Sequence, residues 1–402
     1  MTITTIPGGV TAPAGFQASG LSCGIKASGR PDLALLVADR PASAAAIFTV
    51  NRAVAAPVLV SRAQLHAGGG LVRAIVTNSG CANACTGPQG DADAREMVAR
   101  TAEALGCAVD QVLVASTGVI GVQLPMDKIR AGLPAAVAAL AADGGTRAAD
   151  AIMTTDPFPK SHAVEVATPA GTFRVGGMAK GSGMIEPRMA TMLGYLTTDA
   201  EVEVDRLQRA LVEACRDTFN AITVDGEPST NDTVFALASG ASGVAIDDDT
   251  EAALVAGLRA VALTLALDIV RGGEGATKLL RITVRAAATE ADAWLAARAI
   301  ANSLLVKTAV HGGDPNWGRL VAAAGRSGAA FTLAGARVRI GPHVLFEDGR
   351  PYDDRSPAAA AYLHGTDLEI EVGLGTGGHA TATVYTCDLS AEYVRINAEY
   401  RT

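Results

Sequence analysis

Apolar residues along this chain fall into two kinds of run, and the two alternate. Short β-branched runs cover Leu33–Val37, Val72–Thr77, Val112–Ala115, Thr233–Ala238, Leu280–Val284, Leu368–Val372 and Thr381–Tyr385. Gly, Asp or Asn bound them, so they predict strands. Longer runs over Asp91–Leu105, Val204–Phe219, Ala252–Ile269 and Ala291–Ile300 repeat apolar residues at helical spacing. In the second of these, Leu207, Leu211, Ala214 and Cys215 share one face. Ala135–Ala149 reads as a helix and its exit, because Ala is the best helix former. Strands and helices mix from end to end, which places the chain in the α/β or α+β class. No short tandem repeat or low-complexity linker divides it. The strongest punctuation is Gly176–Ala190, a Gly-rich stretch that reads as irregular.

Composition narrows the picture. The length of 402 residues suggests two or three domains or layers. With 49% hydrophobic and 18% charged residues, disorder is excluded, and with 4% aromatics the core must be mostly Ala, Val, Leu and Ile. The net charge of −8 argues against a broad nucleic-acid surface. Met1–Val10 lacks the basic-then-apolar pattern of a secretory signal. The longest uninterrupted apolar run, Ala135–Ala142, falls short of the roughly 20 residues of a membrane span. The expectation is a cytoplasmic protein with neither a nucleic-acid nor a membrane partner. Cys23, Cys81, Cys85, Cys107, Cys215 and Cys387 are scattered and read as reduced thiols. Cys81 and Cys85 do not have CxxC spacing, so no metal is expected.

Several motifs drop out. No Gly-Lys dipeptide occurs, so there is no P-loop, and there is no HExxH. Gly373, Gly375 and Gly378 formally match GxGxxG, but His379–Tyr385 reads as a strand where a dinucleotide site needs a helix. A hairpin loop is the expected reading there. The six histidines are far apart, and only His311 neighbours a suggestive motif.

The segment Lys180-Gly181-Ser182-Gly183-Met184-Ile185-Glu186-Pro187-Arg188-Met189-Ala190-Thr191-Met192-Leu193 carries chemistry. Glycines allow a tight path and a proline fixes one turn. Attack of the Thr191 hydroxyl on the Ala190 carbonyl would release a new N-terminal Thr. Its α-amine, with an ordinary pKa of roughly 7.7–8.0, can serve as base for its own hydroxyl. The bland alternative is a loop leading into an element that starts at Thr191.

Further blocks run in order along the chain. They are Ala18-Ser19-Gly20 to Gly24-Ile25-Lys26, Asn78-Ser79-Gly80 with Asn83–Gly87, Ser116–Gly121 and Ile152–Asp156. Ser229–Thr233, Gly273–Lys278, Asp314–Arg319, Cys387–Leu389 and Tyr393–Asn397 follow. With these blocks the chain, from about Gly15 to Thr402, resembles the ornithine acetyltransferases, also called glutamate N-acetyltransferases. The resemblance implies a layered α/β sandwich that is similar to, but topologically distinct from, the N-terminal-nucleophile hydrolases. It implies self-cleavage between Ala190 and Thr191 into an α chain of residues 1–190 and a β chain of residues 191–402, assembled as α2β2. It implies ping-pong acetyl transfer from N2-acetyl-L-ornithine to L-glutamate through acetyl-Thr191, in arginine biosynthesis. No cofactor is implied; acetyl-CoA as another acetyl donor stays open. Thr117 and the Gly118 amide would face the oxyanion, and Thr154, Lys180, Glu274, Asn397 and Thr402 would contact substrate.

The chain departs from the family pattern at Glu186, Arg188, Gly272, Cys81 and Val310-His311-Gly312-Gly313. Glu186 and Arg188 carry opposite charges near the cut and are candidates for a local ion pair, worth little if exposed, or for specificity residues. Two other readings stay open: a paralogue with the same chemistry in a specialised-metabolite pathway, and a Thr-nucleophile amidohydrolase or aminopeptidase that passes the acyl group to water. A third is a non-catalytic assembly protein in which the Ala190–Thr191 bond stays intact.

Overall fold

The computed structural model describes residues 1–186 and 192–399. They form two compact units, one of residues 1–220 and 228–269, the other of residues 221–227 and the chain from 270 onward. Ala190, Thr191, Arg188 and Thr402 lie outside the described residues.

The first unit is built on a nine-stranded mixed sheet. Its strands are β1 (Thr2–Ile6), β2 (Phe16–Leu21), β3 (Leu33–Phe48), β4 (Leu71–Cys81), β5 (Val112–Val119), β6 (Lys160–Thr168), β7 (Gly171–Lys180), β8 (Leu193–Thr198) and β9 (Thr233–Ala238). The order is β1-β6-β7-β8-β9-β3-β4-β5, with β2 also on β3. Only β4–β5 and β8–β9 are parallel pairs. The helices are α1 (Ala56–Ala67), α2 (Gly87–Leu105), α3 (Met126–Ala138), α4 (Gly145–Ala151), α5 (Val204–Arg216) and α6 (Glu251–Arg271).

Successive strand side chains point to opposite faces. In β3, Leu33, Leu35 and Val37 join Val60 of α1, Met97 of α2 and Ile129 and Leu133 of α3. Ala34, Leu36 and Ala38 face a different cluster, with Ala148 and Ala149 of α4 and with Tyr195 and Phe235. Both faces are covered, which is why this strand reads as a continuous apolar run. The layered α/β class expected from the sequence holds.

Three expectations need correction. Gly176–Ala190 is not irregular throughout, since β7 runs to Lys180. Gly176 sits mid-strand because the Gly9 carbonyl oxygen would lie 2.1 Å from any Cβ there. Ala135–Ala149 is not one helix and its exit: α3 ends at Ala138 and α4 begins at Gly145. The helix expected over Ala252–Ile269 is present as α6, but the search for the longest apolar run passed over it: by length and composition alone it is apolar enough to cross a membrane. Arg259 and Asp268 interrupt its apolar run. Here α6 lies against the sheet: Val261 and Leu265 come within 3.0 Å of a Cβ built on Gly177.

The two strands that flank the expected cut are neighbours. β7 and β8 pair antiparallel, with Lys180 opposite Leu193. The chain therefore leaves the sheet and rejoins it at the same rung.

The second unit holds a six-stranded sheet of β10 (Leu279–Ala287), β11 (Arg337–Ile340), β12 (His343–Glu347), β13 (Arg350–Pro351), β14 (Asp367–Gly373) and β15 (Ala380–Cys387). Its helices are α7 (Glu290–Ala301), α8 (Leu304–His311), α9 (Trp317–Gly325), α10 (Ser356–Tyr362) and α11 (Ala391–Glu399). Ala293, Ala296 and Ala297 of α7 are fully buried in the same core as Ile282 and Val284 of β10. The strand expected after Gly378 is present, but the loop is not a hairpin. β14 pairs parallel with β10, and β15 lies antiparallel on β10's other side. The loop therefore crosses over an intervening strand.

β5 ends the order of the large sheet, yet its outward backbone at Val114 is not bare. The Ser61 hydroxyl of α1 donates to the Val114 carbonyl at 2.6 Å and accepts from the Val114 amide at 2.8 Å. Ser61→Ala strands both groups in a buried place and should lower stability by about 1–3 kcal/mol, read from urea unfolding.

Candidate active site

The first-unit cluster forms where β4, β5, β7 and α4 end and β6 and β9 begin. Lys180, the last residue of β7, donates from Nζ to the Thr117 hydroxyl oxygen at 3.2 Å, and both side chains are buried. A hydroxyl that accepts from a cation becomes the better donor through its own proton. Gly118, the next residue, has φ +130°, and a Cβ there would sit 2.4 Å from the Gly80 carbonyl carbon. Only glycine fits, which leaves this backbone unscreened by any side chain.

Asn231 holds the Thr117 strand in place. Its Nδ2 donates to the Ala82 carbonyl at 2.6 Å and to the Ser116 carbonyl at 2.9 Å. Ser116 in turn donates to Asn78 Oδ1 at 2.6 Å. On the opposite side, Ser79 donates to the Ala151 carbonyl at 2.5 Å, and Lys26 Nζ donates to the Met153 carbonyl at 2.7 Å. These bonds anchor the end of α4 just before Thr154.

Asp156 ties the pieces together. Its Oδ1 accepts from Lys160 Nζ at 2.6 Å and from the Gly181 amide at 2.7 Å, and its Oδ2 accepts from the Thr154 amide at 3.0 Å. Burial works to raise this carboxyl. The Lys160 and Lys180 charges, with hydrogen bonds from Lys160 and Thr154, outweigh burial and hold it well below the usual carboxylate range. Burial, helped by the Arg30 charge, pulls the Lys26 ammonium down to about 8; Asp32 opposes this, Lys180 adds to it and Asp156 opposes it.

The second unit carries its own polar cluster. Glu274 is buried and accepts from Asn397 Nδ2 at 2.8 Å. Gly275, at φ +69°, lets the chain pass where a Cβ would lie 2.5 Å from the Tyr393 amide nitrogen. Nearby, buried Asp388 accepts from the Thr277 hydroxyl and amide and from the Lys278 amide, and pairs with His311 Nδ1 at 2.7 Å.

Of the residues named from sequence, Thr117, Gly118, Thr154 and Lys180 thus come together in the first unit, and Glu274 with Asn397 in the second. Glu186 is buried at 4% exposure, while Arg188, its candidate ion-pair partner, lies outside the described residues. A carboxylate so placed needs polar company, because burial without it is costly. Cys81 is buried and donates from Sγ to the Val122 carbonyl at 3.2 Å, while Cys85 is exposed. Asp156, Lys160 and Asn231 were missed as site residues. Asp156 and Asn231 lie inside motifs quoted above, and Asp156 and Lys160 have i, i+4 spacing. Those were the available signals.

A layered α/β protein that sets a buried lysine on a threonine hydroxyl, beside a mandatory glycine, has the parts of an acyl-transfer enzyme. The ArgJ family model matches residues 17–402. The arginine biosynthesis bifunctional protein ArgJ of Synechococcus sp. is 50% identical, with 99% of this chain and 98% of that protein covered. The same-named protein of Symbiobacterium thermophilum is 48% identical, with 99% of each chain covered. A solved ornithine acetyltransferase from Mycobacterium tuberculosis, complexed with ornithine, is 45% identical, covering 47% of this chain and all of that one at a TM-score of 0.44. The chain belongs to the ArgJ family.

Replacing Asp156 by Asn leaves Lys160 buried without a counter-ion and should cost about 3–5 kcal/mol at neutral pH. The folded pKa of Asp156 is depressed, so its contribution is present above the unfolded value near 4 and is lost as pH falls toward the folded one. Urea midpoints from pH 7 down to pH 3 should therefore fall more steeply for wild type than for Asp156→Asn.

Proposed function

We propose that this chain is an ornithine acetyltransferase/glutamate N-acetyltransferase of arginine biosynthesis, acting through Thr191 after self-cleavage between Ala190 and Thr191. The observation that carries the reading is the buried contact of Lys180 with Thr117 beside Gly118, 3.2 Å long, in a member of the ArgJ family. Thr191 attacks the acetyl carbonyl of N2-acetyl-L-ornithine, with its own α-amine as base. Thr117, polarised by Lys180, and the Gly118 amide stabilise the oxyanion; losing one such donor typically costs about 100- to 1000-fold in rate. Ornithine leaves, and L-glutamate then takes the acetyl group from the Thr191 ester. Covalent storage of the acetyl group removes the need for a cofactor. Acetyl-CoA would serve as a second donor through the same ester.

Glu274, steadied by Asn397, is assigned the substrate ammonium, and Thr154 and Thr402 the remaining substrate contacts. Residues 1–190 and 191–402 become the α and β chains of an α2β2 enzyme of the cytoplasm. Pairing of β7 with β8 supports this, because hydrogen bonds across the sheet hold both sides of the cut after the bond is gone. A specialised-metabolite role for the same chemistry draws support from Glu186. It is a departure from the family pattern, and its burial beside the cut fits a residue that tunes which amine is released.

Thr191→Ala should abolish both processing and transfer. Intact-mass analysis of wild type should give two species, residues 1–190 and 191–402, and a single full-length species would overturn the nucleophile assignment. In kinetic assays without glutamate, ornithine should appear as one burst equal to the enzyme, whereas steady release in water alone would mean a hydrolase. Glu186→Ala should leave processing intact and shift the ratio of kcat/KM among N-acetylated diamino acids. Unchanged ratios would remove Glu186 from the specificity residues.

A further inference from the structure

Asp232 opens onto β9 from the Ser229–Thr233 motif, and none of the roles above uses it. Its carboxyl is buried. Ser229 donates to it through hydroxyl and backbone amide. Its Oδ2, however, has no hydrogen-bond partner; among the described residues the only other such buried side-chain atom is Arg73 Nη1. Asp232 is therefore the one carboxyl among them with an orphaned buried oxygen. A buried oxygen of this kind is costly as a carboxylate and tolerable as a protonated acid. Burial pushes this carboxyl well above the usual range, and the Ser229 hydrogen bonds and the Lys180 charge pull back less strongly.

The neighbours of Asp232 say where that proton is held. Asn231, before it, clamps the Ala82 and Ser116 carbonyls and so fixes the strand end that carries Thr117. Thr233, after it, donates its amide to the Met192 carbonyl at 2.9 Å. Met192 is joined directly to Thr191. Asp232 thus lies between the contact that positions the oxyanion donors and the contact that positions the residue following the proposed nucleophile. Asp156, which also feels Lys180, is held in the opposite state. Two carboxyls with environments that drive them apart are the usual arrangement of an acid and a fixed anion at one site.

We propose that Asp232 is the internal acid of self-cleavage: neutral in the uncut chain, it protonates the departing nitrogen of Thr191 and stays as the counter-ion of the released amine. The inference rests on the self-cleavage reading above. The Thr191 oxygen bonds to the Ala190 carbonyl carbon as the C–N bond breaks. The hydroxyl proton and the Asp232 proton both end on the nitrogen, giving one ammonium and one carboxylate from three neutral groups. Water then hydrolyses the ester, restoring the Thr191 hydroxyl and leaving Ala190 as a carboxylate, with a proton released to solvent. In acetyl transfer the amine can return a proton to Asp232 and act as base.

The test is cleavage of freshly synthesised full-length chain, followed by intact mass over a range of pH. Wild type should mature more slowly as pH rises, because the neutral acid is used up. Asp232→Asn should mature about 100-fold more slowly or worse and lose this pH dependence, while keeping the circular-dichroism spectrum of uncut Thr191→Ala. Maturation of Asp232→Asn at the wild-type rate and with the wild-type pH profile overturns the assignment and leaves the Thr191 reading standing. A wild type that never divides overturns both. If Asp232→Asn does not fold, infrared spectra of the other two proteins decide. A protonated-carboxyl band in Thr191→Ala at neutral pH that is absent from processed wild type supports the proposal. The same band in both, or in neither, overturns it.

Discussion

The buried carboxylate of Asp156 joins three pieces of the chain at one point. Lys160 starts β6, Gly181 follows β7, and Thr154 follows α4; each gives Asp156 a hydrogen bond of 3.0 Å or less. The bond from the Gly181 amide matters most for chemistry. Lys180 precedes Gly181, so fixing that amide fixes the base from which the Lys180 side chain reaches Thr117. Burying two ions stabilises a fold poorly compared with apolar packing of the same volume. The arrangement makes more sense as geometric definition: a carboxylate with its acceptor sites filled from three directions tolerates little displacement of any of them.

That dependence explains which parts of the molecule could be read from sequence. Thr233–Ala238 was found with its ends correct, because it is a β-branched run buried on both faces and stopped by polar residues. β3 was found only in its first third, since the alanines that continue it to Phe48 have no strand signature of their own. β7 was hidden by Gly176 and Gly177, which the sequence presents as loop residues. Their reason is tertiary: the Gly9 backbone and the α6 side chains approach too closely for a Cβ. Thr117 and Lys180 stand 63 residues apart and were connected only through resemblance to a family. Nothing local in either residue reports their contact.

The residues that reading missed share one property. Asp156, Lys160, Asn231 and Asp232 are polar and buried, and burial of a polar residue is the quantity that sequence pattern predicts worst. Glu186 is buried as well, which nothing in its sequence neighbourhood announces. These residues break the rule that polar side chains belong at the surface, and they break it around the site. Such local exceptions are where function and foldability compete. In this chain most are settled by complete hydrogen bonding: Asn231 satisfies two carbonyls, and Asp156 fills both its oxygens.

Asp232 is the exception among the exceptions, and its position gives the imbalance meaning. A network that satisfies Asn231 and Thr233 on either side has no geometric difficulty in supplying a donor to the residue between them. Hydrogen bonding from Ser229 reaches the Asp232 carboxyl, yet its Oδ2 is left without a partner. If the role of Asp232 were only to brace the strand end, an amide or a hydroxyl would do it without the cost of an orphaned carboxyl oxygen. A carboxyl there has one property that neither replacement has, which is that it can hold a proton and release it. The sheet adds the other requirement. β7 and β8 pair at the rung of Lys180 and Leu193, so under the proposal above the sheet would hold both sides of the cut once the peptide bond is gone. On that reading, the pairing is what would keep a released amine in the site where it could act again as a base.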